Sequence, residues 1–211
     1  WLVAQTGSAD MAMKIVEARK KNAALMQQYT WNSRTEIFMN GELKDTRIDQ
    51  VQYGPNGQLQ RTELNNENSS HPRGFLRRAI AKEKKEELEK YLQGLRGLLE
   101  QYTLPTAGKV MDFMSSATVT SEQSPDGTSL LKMQGTGVVV PGDTLAIWAD
   151  AATHKMRKVQ ITTFYEGGPA NLTAMYKTNG AGLTYMSMAE IELPDKNVSL
   201  QIHNYDYEQN D

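Results

Sequence analysis

Between residues 144 and 207, five short segments follow one another, each alternating apolar and polar side chains and each separated from the next by turn residues. They are Thr144–Asp150, His154–Glu166, Ala170–Asn179, Leu183–Leu193 and Asn197–Tyr207. Residues two apart in a strand share a face of the sheet, which puts Val159, Ile161, Thr163 and Tyr165 together, as it does Leu172, Ala174 and Tyr176, and Val198, Leu200 and Ile202. The separators are clusters of Gly, Pro, Asn and Asp, which supply the backbone angles of a chain reversal. The pattern predicts an antiparallel meander with one apolar face, and such a face has to be covered.

The preceding residues supply the cover. Ala9–Gln28 has no Pro or Gly, and Met11, Ile15, Val16, Ala23 and Met26 recur at roughly helical spacing behind a cap at Ser8 or Asp10. A longer helix is predicted from about Gly74 to Tyr102, with a stripe of Leu88, Tyr91, Leu92, Leu95, Leu98, Leu99 and Tyr102. Pro105 ends it, and Ala107–Ser116 reads as a third helix with Val110, Met111, Phe113 and Met114 on its apolar side. Three early strands are expected: Tyr29–Met39, Glu42–Tyr53 and Gln58–Leu64. Asn40-Gly41 is a hairpin signal, because both central residues of that turn need positive φ. Asn65–Pro72 is expected to be a loop.

Composition narrows the function classes. The chain has 211 residues and no Pro/Ser-rich divider, so residues 1–211 are expected to form a single domain with 1–8 as a flexible N-terminal remnant. A net charge of −2 gives no basic bias toward nucleic acid, and the absence of cysteine excludes disulfides and thiolate metal sites. No segment approaches the ~20 consecutive apolar residues of a membrane helix. His71, His154 and His203 lack metal-ligand spacing, Gly135-Thr136-Gly137 lacks the rest of a dinucleotide fingerprint, and no nucleophile-elbow or phosphate-loop sequence occurs. Glu190 and Glu192 share a strand face, where solvent exposure is the commoner role than catalysis. The expectation is a protein that is not an enzyme, with no catalytic residue, metal or cofactor.

Two compositional features bear on binding. Arg73, Arg77, Arg78, Lys82, Lys84 and Lys85 crowd the start of the long helix with Phe75, Leu76 and Ile80 between them. Such a stretch could rest on an anionic membrane surface or a protein partner; a solvated helix face laced with i,i+4 pairs is the competing reading. Methionine occurs 11 times, with Met175, Met186 and Met188 on strands and Met111 and Met114 on the short helix. Flexible thioethers fill irregular gaps and suit adaptable apolar surfaces, which fits an incompletely filled interior.

The order of a helix, a three-strand series, a helical segment and a long antiparallel meander resembles the LolA/LolB-like family of bacterial periplasmic lipoprotein carriers, as a diverged member. The residues carrying the resemblance are Tyr29–Ile37, Gly142–Asp150 and Thr153–Val159. The resemblance implies an α+β fold, an unclosed β-barrel of about ten antiparallel strands in a strongly curved sheet, with about three helices on its concave side. It also implies an apolar cavity for an acyl chain of a lipid or lipoprotein, in a periplasmic or membrane-associated extracytoplasmic protein. The expected lining is Trp31, Ile37, Leu145, Ile147, Val159, Ile161, Leu172, Tyr176, Tyr185, Leu200 and Ile202, each of which is also an ordinary core residue, the commoner role for such side chains. The alternative function is a protein-interaction or envelope-sensing module on the same scaffold.

Overall fold

The computed structural model describes residues 2–67, 75–103 and 106–210, with side chains described over 10–64, 86–103 and 106–210. Helix α1 (Leu2–Met26) leads into strands β1 (Tyr29–Met39), β2 (Glu42–Tyr53) and β3 (Leu59–Glu67). Helices α2 (Phe75–Gln101) and α3 (Ala107–Ser116) follow. The meander is β4 (Thr118–Gln123), β5 (Ser129–Thr136), β6 (Thr144–Asp150), β7 (Met156–Tyr165), β8 (Gly168–Thr178), β9 (Thr184–Leu193) and β10 (Val198–Gln209). All ten strands form one antiparallel sheet in the order β3-β2-β1-β10-β9-β8-β7-β6-β5-β4, so the sheet ends in two edges and does not close. The fold is α+β, a curved and unclosed sheet with helices on its inner face.

Local chemistry explains the corners. Asn40 and Gly41 take φ of 54° and 78° between β1 and β2, as the Asn-Gly pair predicts. Glu166 and Gly167 do the same between β7 and β8, at 50° and 82°. After β6, the Asp150 carboxylate accepts the N–H groups of Ala152 (3.0 Å) and Thr153 (2.8 Å), closing an Asx-type turn. Helix α3 is capped by Thr106, whose Oγ1 accepts the Lys109 N–H at 3.2 Å.

The apolar alternation of the meander builds two clusters on the inner face. The larger gathers Leu145, Val159, Ile161, Ala174 and Ala189 from the sheet beneath Ala12 of α1 and Val110, Phe113 and Met114 of α3. The second places Val198, Leu200 and Leu193 against Tyr91 and Leu95 of α2. The long-helix stripe is thus divided: Leu88 and Leu92 join the second cluster, Leu98 and Tyr102 the first, and Leu99 touches both. Gly135 lets α3 approach the sheet, since a Cβ there would lie 2.8 Å from Phe113 Cε2.

Several expectations change. Strands β4 and β5 add to the eight strands that the sequence pattern delimits and bring the sheet to ten described strands. Helix α1 begins at Leu2 rather than Ala9, and β3 continues through Asn65 to Glu67, where a loop was expected. Met175 and Met188 face each other on the outer side, both 38% exposed. Tyr176 stays on the inner face with Ala174, and a bulge that leaves Ser187 of β9 unpaired puts Met186 opposite it, so that Met186 turns inward although it is two residues from the outward Met188. The side chains of Arg73, Arg77, Arg78, Lys82, Lys84 and Lys85, with residues 68–72 of the expected loop, lie outside the described residues.

Candidate functional site

One end of the inner face is left unfilled. A half-open cavity of about 630 Å³ lies between the second half of α1 and the sheet ends beneath it. Helical spacing places Lys14, Ala18, Lys21, Asn22 and Leu25 on one flank of α1, and these line the cavity together with Met26. The facing wall consists of Tyr53 at the end of β2, Met156 at the start of β7, Tyr176 of β8, and Tyr185 and Met186 of β9. The turn Thr153–Lys155, in which His154 takes φ of 58°, forms the outer lip.

Aromatic rings stiffen this wall. Trp31 of β1 stacks on Tyr207 of β10 with centroids 5.4 Å apart and planes within 10°. Tyr207 also meets Tyr185 at 4.1 Å, and Trp31 meets Tyr53 at 6.1 Å. The four rings are contiguous, with Tyr53 and Tyr185 reaching the cavity and Trp31 behind them. Burial, reinforced by Tyr185, Tyr53 and Tyr176, pushes the Tyr207 phenol well above its ordinary value, so it stays neutral. Burial likewise raises the Tyr176 phenol, against the pull of the nearby Arg19 guanidinium.

Polar contacts hold α1 across the opening. The Asn22 side-chain amide donates to the Thr184 carbonyl and accepts the Thr184 N–H, both at 2.7 Å, as a neighbouring strand would. Arg19 donates to the Thr103 carbonyl at the end of α2. Beyond the helix, the Gln28 carbonyl accepts the Asn210 N–H at 2.7 Å, tying the exit of α1 to the end of β10.

A buried carboxylate shapes the segment between β5 and β6. Asp143 is fully buried and accepts the N–H groups of Val138 (2.7 Å), Val139 (2.7 Å) and Val140 (2.8 Å). Tyr102 Oη lies 2.7 Å from both Asp143 Oδ2 and Thr163 Oγ1, and its proton can serve either. Burial favours the neutral acid, but the Tyr102 hydroxyl and the three N–H groups outweigh it and hold the carboxyl below the usual carboxylate range. This arrangement turns Val138 and Val139 toward the core, and it ties α2 to the sheet through Tyr102.

Of the sequence-predicted lining, Tyr176 and Tyr185 border the cavity. Leu145, Ile147, Val159, Ile161, Leu172 and Ile202 sit in or against the larger cluster, while Leu200 and Ile37 belong to the second. Trp31 backs the aromatic wall. Sequence reasoning missed Asn22, Tyr207 and Asp143; an Asp closing the apolar run Gly137-Val138-Val139-Val140-Pro141-Gly142 was the one available signal for the last. Among the described residues, no group of three or more His, Cys, Asp or Glu could hold a metal, and no helix is long and apolar enough to cross a membrane.

No family model matches the chain, and no curated protein matches it. Among solved structures, it is similar to a DUF1329 family protein from Desulfovibrio piger, at 10% identity and a TM-score of 0.43, over 97% of this chain and 92% of that one. It is similar to a LolA superfamily protein from Nitrosomonas europaea at 12% identity and a TM-score of 0.39, over 95% and 94% of the two chains. An outer membrane lipoprotein-sorting protein domain from Vibrio parahaemolyticus matches at 13% identity and a TM-score of 0.35, over 94% and 93%.

Proposed function

We propose that this protein binds, without catalysis, the acyl chain of a lipid or lipoprotein in the cavity beneath α1, and that it works in the bacterial cell envelope. The observation that carries the reading is the cavity itself: about 630 Å³, within the ~300–1,000 Å³ typical of ligand sites, with Leu25, Met26, Met156 and Met186 around an aromatic wall. Thioethers and neutral phenols accommodate a flexible chain without demanding one shape. The order of elements, which resembles the LolA-like carriers, supports the envelope setting.

Binding of a homologous series of acyl probes tests it. Each methylene entering the cavity gains about 0.8 kcal/mol, or roughly fourfold in affinity, until the cavity is full. Ala18→Phe, on the cavity flank of α1, fills part of the space and should shorten the longest chain accepted while the far-ultraviolet circular dichroism spectrum stays unchanged. Absence of saturable binding by the folded wild-type protein overturns the reading.

A further inference from the structure

The charge around the cavity departs from that of the chain. Acidic residues outnumber basic ones overall, 25 to 23, yet Lys14, Arg19, Lys21 and Lys155 line the cavity against Glu17 alone. The cations come from both sides of the opening. Lys14, Arg19 and Lys21 project from α1, and Lys155 from the facing turn, where His154 adjoins it. Lys155 is held at the sheet side of the mouth by a 3.2 Å hydrogen bond from its ammonium to the Gly182 carbonyl, a neutral acceptor that leaves the positive charge in place. Lys14 and Lys21 meet Asp10 and Glu17 in exposed i,i+4 pairs at 2.7 Å, contacts that exchange readily for a better anion.

Resting on the acyl-binding reading above, we propose that the ligand is a single-chain amphiphile with an anionic headgroup, its chain against the Tyr and Met wall and its headgroup between Lys21 and Lys155. A carboxylate and a phosphate monoester share the required chemistry, acceptor oxygens carrying negative charge at the end of one chain. One cavity of this size, open at a cationic mouth, matches one chain and one such headgroup.

The test uses probes of equal chain length below their aggregation thresholds, ending in carboxylate, phosphate, hydroxyl or trimethylammonium. The anionic probes should bind about tenfold more tightly than the alcohol, and the ammonium more weakly than the alcohol, with the spread narrowing as salt rises. A preference for carboxylate over phosphate, or the reverse, identifies the source of the anion. Lys21→Gln with Lys155→Gln should abolish the anion preference, so that the carboxylate, phosphate and alcohol probes bind alike, while Lys155→Glu should move the preference toward the ammonium. Equal binding of all headgroups, or an anion preference that survives the double substitution, overturns the headgroup assignment and leaves acyl binding standing. Failure of every probe to bind overturns both.

Discussion

Replacing Asp143 separates the contribution of its charge from that of its shape. In Asp143→Ala, the N–H groups of Val138, Val139 and Val140 lose the acceptors that now lie 2.7–2.8 Å away. An orphaned buried donor costs ~1–3 kcal/mol, and opening of the loop to water relieves part of that, so the expected loss is about 4 kcal/mol. For a chain of 211 residues this lowers Tm by roughly 8–16 °C. Asp143→Asn keeps the shape but turns an amide nitrogen toward at least one N–H, which should cost about 2–3 kcal/mol. The measurement is denaturant unfolding followed by tryptophan fluorescence, with midpoints compared at constant slope. Because the folded carboxyl titrates below its unfolded value, its stabilisation is complete above the unfolded value of ~4 and is lost as pH falls through the lower folded value. The gap between wild type and Asp143→Asn should therefore close in acid. An Asn variant as stable as wild type at neutral pH, or a gap that ignores pH, refutes the electrostatic account of this loop.

Two further substitutions probe how the helices are seated. Gly135→Ala drives a methyl against the buried Phe113 ring and should cost ~1–3 kcal/mol in denaturant unfolding; a neutral result would show that α3 shifts freely on the sheet. Asn22→Ala removes both partners of the Thr184 peptide group, and should speed hydrogen exchange at the Thr184 amide by about tenfold with little change elsewhere in β9. Unchanged exchange at that amide would mean that the helix is held in place by other contacts.

The meander was legible because period-two alternation in Met156–Tyr165, Gly168–Thr178 and Val198–Gln209 reports directly which side of the sheet is dry. Strand β4 was not, for a related reason: Thr118–Gln123 is exposed at every position, so an edge strand wet on both faces leaves no alternation to read. The long-helix stripe was evident from its spacing, whereas its division between two clusters depends on where α2 crosses the sheet, which no local pattern encodes. The site followed the same logic. Apolar strand residues such as Leu145 and Ile161 announce burial, but whether a helix or a ligand does the burying depends on the placement of α1 over one end. Tyr176 and Tyr185 reach the cavity because they lie at that end. Asn22 carries no sequence signal, since its role comes from a peptide group 162 residues away.

An interior bounded by a sheet with two free edges differs mechanically from a closed barrel. In a closed barrel, strand number and stagger together set the radius, and any change in girth has to break a ladder somewhere. Among the described residues β3 and β4 each pair with one strand only, so the sheet can tighten or relax its curl by small changes in twist while every strand pair stays intact. Interior volume is then set by the curl of the whole sheet rather than fixed by strand number and stagger.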